Sequence, residues 1–130
     1  MSQENVAIVR HIVEHMSDWD VVKELLSPDV ELDQTAFPDG AVYHGRDAFR
    51  DFFRRWFGTW DDLDVRAERF IDAGERGVVV LLKLSGRGKA SGVALSVDAA
   101  DVWELEGGVA VRLTGYIDRR EALEAAGLAG

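Results

Sequence analysis

The second half of the chain contains four long segments with the residue pattern of β-strands. In each segment apolar and polar residues alternate, or apolar residues run without a break, and glycines lie between the segments. They cover residues 65–72, 78–85, 93–105 and 109–117. Because short connections that contain glycine typically join antiparallel neighbours, this half of the chain predicts a meander of long strands.

The first half has the periodicity of helices instead. Residues 4–16 place their apolar side chains on one side of a helical wheel, and a second helix follows that Pro28 ends. A short strand then runs to Gln34. A third helix begins after Gly45 and carries aromatic residues at intervals of three and four: Phe49, Phe52, Phe53, Trp56, Phe57 and Trp60.

Helices followed by an antiparallel meander predict an α+β fold, in which helices cover one face of a curved sheet. The chain has 130 residues, of which 47% are hydrophobic and 30% charged, as in an ordinary globular protein. No repeat, linker or low-complexity segment divides the sequence. We therefore expect one domain over residues 1–130.

The composition argues against several classes of function. The formal net charge is −9, so nucleic acid and an anionic membrane surface are repelled and neither is an expected partner. The absence of cysteine excludes disulfides, thiolate metal sites and a cysteine nucleophile, and it fits a reducing compartment. The N-terminal residues lack the apolar run of a signal peptide, which predicts a cytoplasmic protein.

One carboxyl group falls on the apolar face of the strand at residues 93–105. That face reads Val93, Leu95, Val97, Ala99, Asp101, Trp103 and Leu105. Loss of hydration disfavours the charged form of a carboxyl group, so we expect the pKa of Asp101 to be raised and the group to exchange a proton near neutral pH. The alternatives are a β-bulge that turns Asp101 outward, or a buried Asp101 bonded to backbone amides or an arginine.

Two segments that contain histidine are weaker candidates. His11, Glu14 and His15 have the spacing of an inverted zinc peptidase motif, but the helical wheel places His11 and Glu14 opposite the apolar stripe, which predicts a solvated face and no metal site. His44 precedes the third helix and either reaches a cavity mouth or is a plain loop residue. The aromatic stripe of that helix is first a core and second a floor for a flat apolar ligand.

Four phrases of the sequence resemble SnoaL-like proteins of the nuclear transport factor 2-like superfamily along nearly the whole chain. They begin at Pro28, Val42, Ala100 and Gly115 and read PDVEL, VYHGRDAF, ADVW and GYIDRREAL. The resemblance implies a cone-shaped α+β barrel, with N-terminal helices on a curved, mainly antiparallel sheet that encloses a pocket for a small apolar ligand. That superfamily includes ketosteroid isomerases, polyketide cyclases, limonene epoxide hydrolases and scytalone dehydratases, so membership implies a pocket rather than one reaction.

The resemblance also implies roles for individual residues. Asp101 matches the isomerase aspartate that stays protonated and donates a hydrogen bond to an oxyanion, and it best matches the pocket aspartate of the cyclases. The position of the isomerase base falls on Gln34, which cannot take a proton, and the oxyanion tyrosine falls on Arg10 or Ile12. Ketosteroid isomerisation by the known mechanism is therefore not expected, and no phrase matches the Asp-Arg-Asp set of the epoxide hydrolases.

Three hypotheses follow. The protein is a cofactor-independent isomerase, cyclase or lyase that uses Asp101 as acid or base and Gln34 to orient a polar atom; or it is a non-catalytic module for a small ligand; or it is a dimerisation domain whose own aromatic residues fill the cavity. The predicted ligand-binding residues are Trp103, Trp56, Tyr116, Trp19, His44 and Phe53. No cofactor or metal is implied.

A homodimer is also expected. The superfamily commonly pairs through the outer face of its sheet, and residues 78–82 are apolar on both faces of their strand. A strand without a polar face needs a cover on each side.

Overall fold

The computed structural model describes residues 2–74 and 77–128. In chain order the elements of this part are α1 (Ser2–Glu14), α2 (Trp19–Glu24), β1 (Leu26–Asp33), β2 (Val42–His44), α3 (Arg46–Gly58), β3 (Trp60–Asp72), β4 (Gly77–Gly88), β5 (Ala94–Glu106), β6 (Val109–Tyr116) and α4 (Arg119–Ala125). The four long strands of the predicted meander are β3 to β6. The α+β class is confirmed.

The six strands form one sheet in the order β2-β1-β6-β5-β4-β3. All neighbours are antiparallel except β1 and β6, which pair in parallel because the chain crosses the whole sheet between them. The expected mainly antiparallel sheet is therefore confirmed. Helices α1 and α3 cover its inner face, where Ile12, Phe49 and Trp103 belong to the main core.

The second helix is shorter than predicted. It ends at Glu24, and Leu26 already belongs to β1, so the expectation that Pro28 ends the helix is wrong. Pro28 lies inside β1, in the stretch between Leu26 and Glu31 where the pairing of β1 with β6 is irregular. A proline has no N–H to donate to a sheet, and such an irregularity is where a strand accommodates it.

Two short elements were not predicted. Strand β2 has three residues, too few to show an alternation, and it pairs with β1 through Leu32 and Tyr43. Helix α4 follows Asp118, whose side chain accepts a hydrogen bond from the backbone N–H of Arg120 at 2.8 Å. Such a bond satisfies one of the free amides at a helix start.

Helix α4 covers part of the outer face of β4, the strand that is apolar on both faces. Val78 and Val80 of β4 are buried in the inner core, and Val79 is fully buried on the outer face. There it packs in a cluster with Ala122 of α4. The second cover at this position therefore comes from the same chain, and the reasoning that required a second copy is wrong. In the described part of the chain no helix is long and apolar enough to cross a membrane.

Candidate functional site

Helices α1 and α3, the 35–41 loop and the inner face of the sheet surround a cavity of about 420 Å³. The aromatic stripe of α3 divides between core and cavity. Phe49 is buried and packs against Trp103 with ring centroids 6.4 Å apart, whereas the next two turns line the cavity with Phe52, Phe53, Trp56 and Phe57. One part of the stripe therefore belongs to the core and the other part to the cavity wall, and its role as a floor for a ligand stays a prediction. The open space also argues against a cavity filled by the protein's own aromatic residues.

Asp101 lies in the wall of this cavity. It stands in regular antiparallel pairing with Val80 of β4 and Gly115 of β6, and the register of β5 shifts only later, between Glu104 and Leu105. The bulge alternative at Asp101 is therefore wrong. The side chain points to the inner face because the strand alternation is unbroken up to that position.

The carboxyl group of Asp101 has no hydrogen-bond or ion-pair partner among residues 2–74 and 77–128. The alternative of a carboxylate paired with backbone amides or an arginine is therefore also wrong. Burial alone raises the pKa of Asp101 from 3.8 to about 7. The acid and its conjugate base are consequently both populated at neutral pH, which is the condition for exchanging a proton with a ligand.

Gly115 creates the space beside Asp101. It is the cross-strand partner of Asp101, and its preceding residue Thr114 pairs with Asp33, so Gln34 follows next to Gly115 on the other side. A Cβ atom placed on Gly115 would lie 2.9 Å from Nε2 of Gln34 and 2.9 Å from Cε2 of Phe37. The amide of Gln34 thus occupies the space that a side chain at residue 115 would fill.

The loop that follows β1 holds Gln34 from the other side. Its backbone N–H donates to the carbonyl of Ala41 at 2.9 Å, and its carbonyl accepts from the N–H of Phe37 at 3.1 Å. Gly40 packs so closely that a Cβ there would lie 1.6 Å from the carbonyl oxygen of Gln34. The residue is only 9% exposed, and its amide makes no hydrogen bond to another described residue. A donor and an acceptor therefore remain available to the cavity.

Sequence reasoning identified Gln34 and Asp101 but missed the two glycines and Tyr43. A glycine inside a strand marks a place where another group approaches the backbone closely, and that signal was available at Gly115. Tyr43 lines the cavity and packs against Phe52 at 5.2 Å between ring centroids. It was missed because β2 was not predicted. Asp39, in the loop before β2, completes the polar lining.

Five of the predicted site residues line the cavity together: Asp101, Gln34, Trp103, Trp56 and Phe53. The other three, Trp19, His44 and Tyr116, do not line this cavity, so the prediction that they do is wrong. Trp19 lies in a separate groove of about 190 Å³ between α2 and α3, where the guanidinium of Arg50 is 5.7 Å from the centroid of its ring system.

His44 and Tyr116 lie on the outer face because of strand alternation. His44 pairs with Glu31, next to the inward pair Leu32 and Tyr43; its side chain is 72% exposed, and its Nδ1 lies 3.6 Å from the Glu31 carboxylate. Tyr116 follows the inward Gly115 and joins the outer cluster around Val79. Burial is the main cause of the raised pKa of Tyr116.

The zinc-like motif on α1 has a local structure of its own. The rings of His11 and His15 are 4.2 Å apart between centroids, and Nδ1 of His15 is hydrogen-bonded to the carbonyl of His11 at 2.8 Å. Over residues 2–74 and 77–128 no group of three His, Cys, Asp or Glu side chains is arranged to hold a metal ion. The absence of zinc binding stays a prediction, to be checked by calorimetric titration.

The chain is similar to several proteins of known structure. An NTF2-like protein of unknown function from Burkholderia pseudomallei is 25% identical, with a TM-score of 0.75 over 93% of this chain and 95% of that one. A putative SnoaL-like polyketide cyclase from Jannaschia sp. CCS1 is 20% identical, with a TM-score of 0.78 over 99% and 94%. A Catenulispora acidiphila protein with a ketosteroid isomerase-like fold, in complex with trimethylamine, is 19% identical, with a TM-score of 0.71 over 93% and 92%.

The last two similarities show the fold alone. Among curated proteins no match was found. The sequence model of the SnoaL-like domain matches residues 8–113, which include every residue that lines the cavity. The chain therefore belongs to the SnoaL-like domain family, within the group of NTF2-like folds.

Proposed function

We propose that this protein binds a small, flat, apolar molecule that carries a carbonyl group, and that Asp101 moves a proton at the carbon next to that carbonyl. One observation carries the proposal: an ionisable carboxyl group lies in an open, largely aromatic cavity without a partner among the described residues. A carboxyl group with a pKa of about 7 can serve as base and as acid under the same conditions.

One group is sufficient for this chemistry. As a carboxylate, Asp101 takes a proton from the carbon, and the electrons of the broken C–H bond move to the carbonyl oxygen to form an enolate. The amide N–H of Gln34, beside Asp101 across Gly115, donates a hydrogen bond to that oxygen as its charge develops. Asp101 then returns the proton to the same carbon or to another one, which gives exchange or isomerisation. The absence of a proton carrier at residue 34 does not prevent this cycle.

Hydrogen exchange tests the proposal without knowledge of the natural substrate. Cyclic and aromatic ketones are incubated with the protein in D₂O, and deuterium incorporation next to the carbonyl is followed by NMR, while tryptophan fluorescence reports binding. We expect exchange that rises with pH through about 7. Asp101→Asn should bind the same ketones but lose roughly a hundredfold to ten-thousandfold in exchange rate. Unchanged exchange in this variant would refute the role of Asp101.

The variant Gln34→Leu tests whether Gln34 donates a hydrogen bond to the enolate oxygen or only affects the ionisation of Asp101. It removes the donor for the enolate oxygen and keeps a side chain of similar size, so exchange should fall while its pH midpoint stays that of Asp101. A change in the midpoint without a change in the limiting rate would instead show that Gln34 acts only on the ionisation of Asp101.

A non-catalytic binding module is the second candidate, and the polar lining supports it. Besides Asp101, the titratable side chains that line the cavity in the described part of the chain are Asp39 and Tyr43, and Asp39 is exposed in its loop. In this case the wild-type protein binds ketones but catalyses no exchange at any pH between 5 and 9. The same measurement therefore decides between the two candidates.

We also propose a homodimer through the outer face of the sheet. Beside the part that α4 covers, this face has a depression of about 340 Å³ lined by Arg112, Thr114 and Tyr116, among others. A second copy placed there would bury the partly exposed side chains of β6. Sedimentation at micromolar concentration tests this, and a monomer would contradict it.

A further inference from the structure

The ionisable side chains of the described cavity lining include acids but no base. In the described part of the chain the lining contains two carboxyl groups, Asp101 and Asp39, and no Lys, Arg or His. The whole chain has the same bias, with a net charge of −9. Asp101 in its ionised form therefore lacks a counter-charge and is stabilised neither by a hydrogen bond nor by an ion pair from the described residues. A proton or an added cation would each neutralise this charge, so a cation that enters the cavity is attracted to the ionised form.

The rest of the lining has the chemistry that binds organic cations. Seven aromatic side chains contribute to it: Phe37, Tyr43, Phe52, Phe53, Trp56, Phe57 and Trp103. The rings of Phe52 and Phe53 are perpendicular, with centroids 5.1 Å apart, so they form a corner rather than a flat wall. The faces of aromatic rings carry partial negative charge and attract alkylated ammonium groups.

We propose that the cavity binds an organic ammonium ion, an alkylated amine on an apolar body, with the Asp101 carboxylate as its counter-ion and the aromatic side chains around the alkyl groups. This inference uses the cavity of the proposed function but not its turnover. The same cavity then accepts two classes of ligand, and the ammonium ion competes with the neutral carbonyl compound.

An inorganic cation is a poorer occupant. Hard cations such as Ca²⁺ and Mg²⁺ take six or more oxygen ligands, whereas the side-chain oxygens of the described lining belong to four residues, Gln34, Asp39, Tyr43 and Asp101. Most of the remaining wall is apolar. Loss of hydration in such a wall is costly for a small metal ion and mild for an ammonium ion that already carries alkyl groups.

The ammonium ion takes the place of a proton, so its binding depends on pH. The elements packed around Asp101 contribute few groups that could interfere: α1 presents Val13, the turn after α1 presents Met16, α3 its aromatic residues, and β6 Leu113. Asp39 and Tyr43 are the other titratable side chains of the described lining. Arg10 of α1 stacks over Phe70 at 4.2 Å from its ring centroid and is not part of the lining.

The experiment compares two probes of nearly equal shape. Phenyltrimethylammonium is a permanent cation, and tert-butylbenzene is its neutral analogue. Binding of each is followed by tryptophan fluorescence and competition between pH 5 and pH 8. The cation should bind about a hundredfold more weakly at pH 5 than at pH 8, because a pKa of about 7 leaves roughly one Asp101 in a hundred ionised at pH 5. The neutral probe should bind equally at both.

Two variants sharpen the comparison. Asp101→Asn should reduce cation binding at pH 8 to the pH 5 level and leave the neutral probe unaffected. Asp98→Asn is the matched control, because it removes the same charge from the same strand at a side chain that is 61% exposed and outside the cavity. It should leave both probes unchanged.

The outcomes separate this inference from the proposed function. Tight binding of the neutral probe alone overturns the ammonium site and leaves the ketone-binding cavity in place. Failure of both probes to bind contradicts the cavity as a ligand site and refutes both proposals. Equal cation affinity in wild type and Asp101→Asn also overturns the inference, because Asp101 would then not be the counter-ion.

Discussion

On the outer face of the sheet, Asp33 accepts hydrogen bonds from the hydroxyl and N–H of Thr35 and from the guanidinium of Arg112, whereas on the inner face Asp101 has no partner among the described residues. The pKa of Asp33 is lowered, mainly by the side-chain hydrogen bond from Thr35, with Arg112 adding to the effect. The pKa of Asp101 is raised by burial to about 7. Both are aspartates on one sheet, so the surroundings and not the residue type decide which of them can exchange a proton.

One arginine of the outer face lies close to three carboxylates. Arg112 contacts the carboxylates of Glu31 and Asp33 and lies 3.6 Å from that of Glu104, so every carboxylate of this cluster has a cation nearby. The inner face has instead the glycine at position 115 and the amide of Gln34, which makes no hydrogen bond to another residue of the described part of the chain. A paired carboxylate stabilises the folded chain, and an unpaired one in a cavity is available to a ligand.

The largest expected effect is that of Asp101→Asn on stability. A raised folded pKa means that the folded state binds the proton more tightly than the unfolded one. The protonated Asp101 therefore contributes its full stabilisation of the folded state below about pH 3.8, and this contribution is lost as the pH rises through about 7. Asparagine is never charged, so the variant should be more stable than wild type at pH 7 by up to about 4 kcal/mol, at 1.4 kcal/mol per pKa unit, and nearly equal at pH 4.

Thermal or urea unfolding at the two pH values measures this difference. Asp98→Asn, on the same strand but exposed, should change stability by less than about 0.5 kcal/mol at either pH. A clear loss of stability in Asp101→Asn at pH 7 would mean that the carboxylate is charged and paired in the folded state, and the comparison of the two faces would fail.

Gly115→Ala should have the next largest effect. The added Cβ would meet the amide of Gln34 and the ring of Phe37 at 2.9 Å, so both must shift. Overpacking of this kind costs about 1–3 kcal/mol. Ketone binding should weaken together with the loss of stability, since the displaced amide enters the cavity. Gly74→Ala is unsuitable as a control because Gly74 has a φ of +106°, whereas Gly58 has open space and an ordinary backbone.

Gly58→Ala is thus the matched variant. It lies at the end of α3, where alanine favours a helix more than glycine does, so stability should stay equal or rise by up to about 1 kcal/mol. If Gly115→Ala and Gly58→Ala both bind ketones as wild type does, the position of the Gln34 amide does not depend on the absence of a side chain at residue 115.

The sequence predicted the sheet and the inward carboxyl group because both follow from local alternation. Residues 93–105 alternate without interruption as far as Asp101, and that pattern alone determines which face the side chain joins. On α3 the intervals of three and four likewise placed Phe53 and Trp56 on one aromatic stripe, and both line the cavity. Local periodicity is physical information that a single sequence contains.

What could not be predicted depends on contacts between distant segments. The parallel pairing of β1 with β6 brings Gln34 beside Gly115, 81 positions later in the chain, and no local pattern encodes that register. Tyr116 and His44 were predicted to line the cavity because of their side-chain chemistry. The residues before them, Gly115 and Tyr43, face inward, so strand alternation turns Tyr116 and His44 to the outer face. Trp19 lies in the groove between α2 and α3, and this packing of two helices is likewise not encoded by a local pattern.

Arg112→Met tests the outer face, with a smaller effect. The variant keeps an apolar stem of similar length but leaves the carboxylates of Glu31, Asp33 and Glu104 near one another without their cation. The arginine side chain is 37% exposed, so solvent reduces the effect, and we expect a loss of about 1–2 kcal/mol at pH 7. Unfolding in 0.05 M and 1 M NaCl should show a smaller difference at high salt.

A second ion pair, between Arg119 and Glu68, provides the control for this variant. Glu68→Gln removes one exposed charge but leaves Arg119 bonded to the carbonyls of Ala99 and Leu82, so stability should hardly change. An Arg112→Met loss that salt does not reduce would point to packing rather than charge as the contribution of Arg112.

The smallest expected effect, that of Asp33→Asn, has the opposite pH dependence to Asp101→Asn. A lowered folded pKa means that the charged form is favoured by folding, so the stabilisation is present above about 3.8 and is lost as pH falls through the folded pKa. Asparagine keeps an oxygen that can accept the hydrogen bonds of Thr35, and only the charge opposite Arg112 is removed. We therefore expect a loss of no more than about 1 kcal/mol at pH 7 and little change at pH 3.

Urea unfolding of the two Asp→Asn variants across this range should give stability differences from wild type that change with pH in opposite directions. If both differences changed in the same direction, the two faces of the sheet would not treat a carboxyl group differently, and the assignment of Asp101 as the free proton carrier would lose its basis.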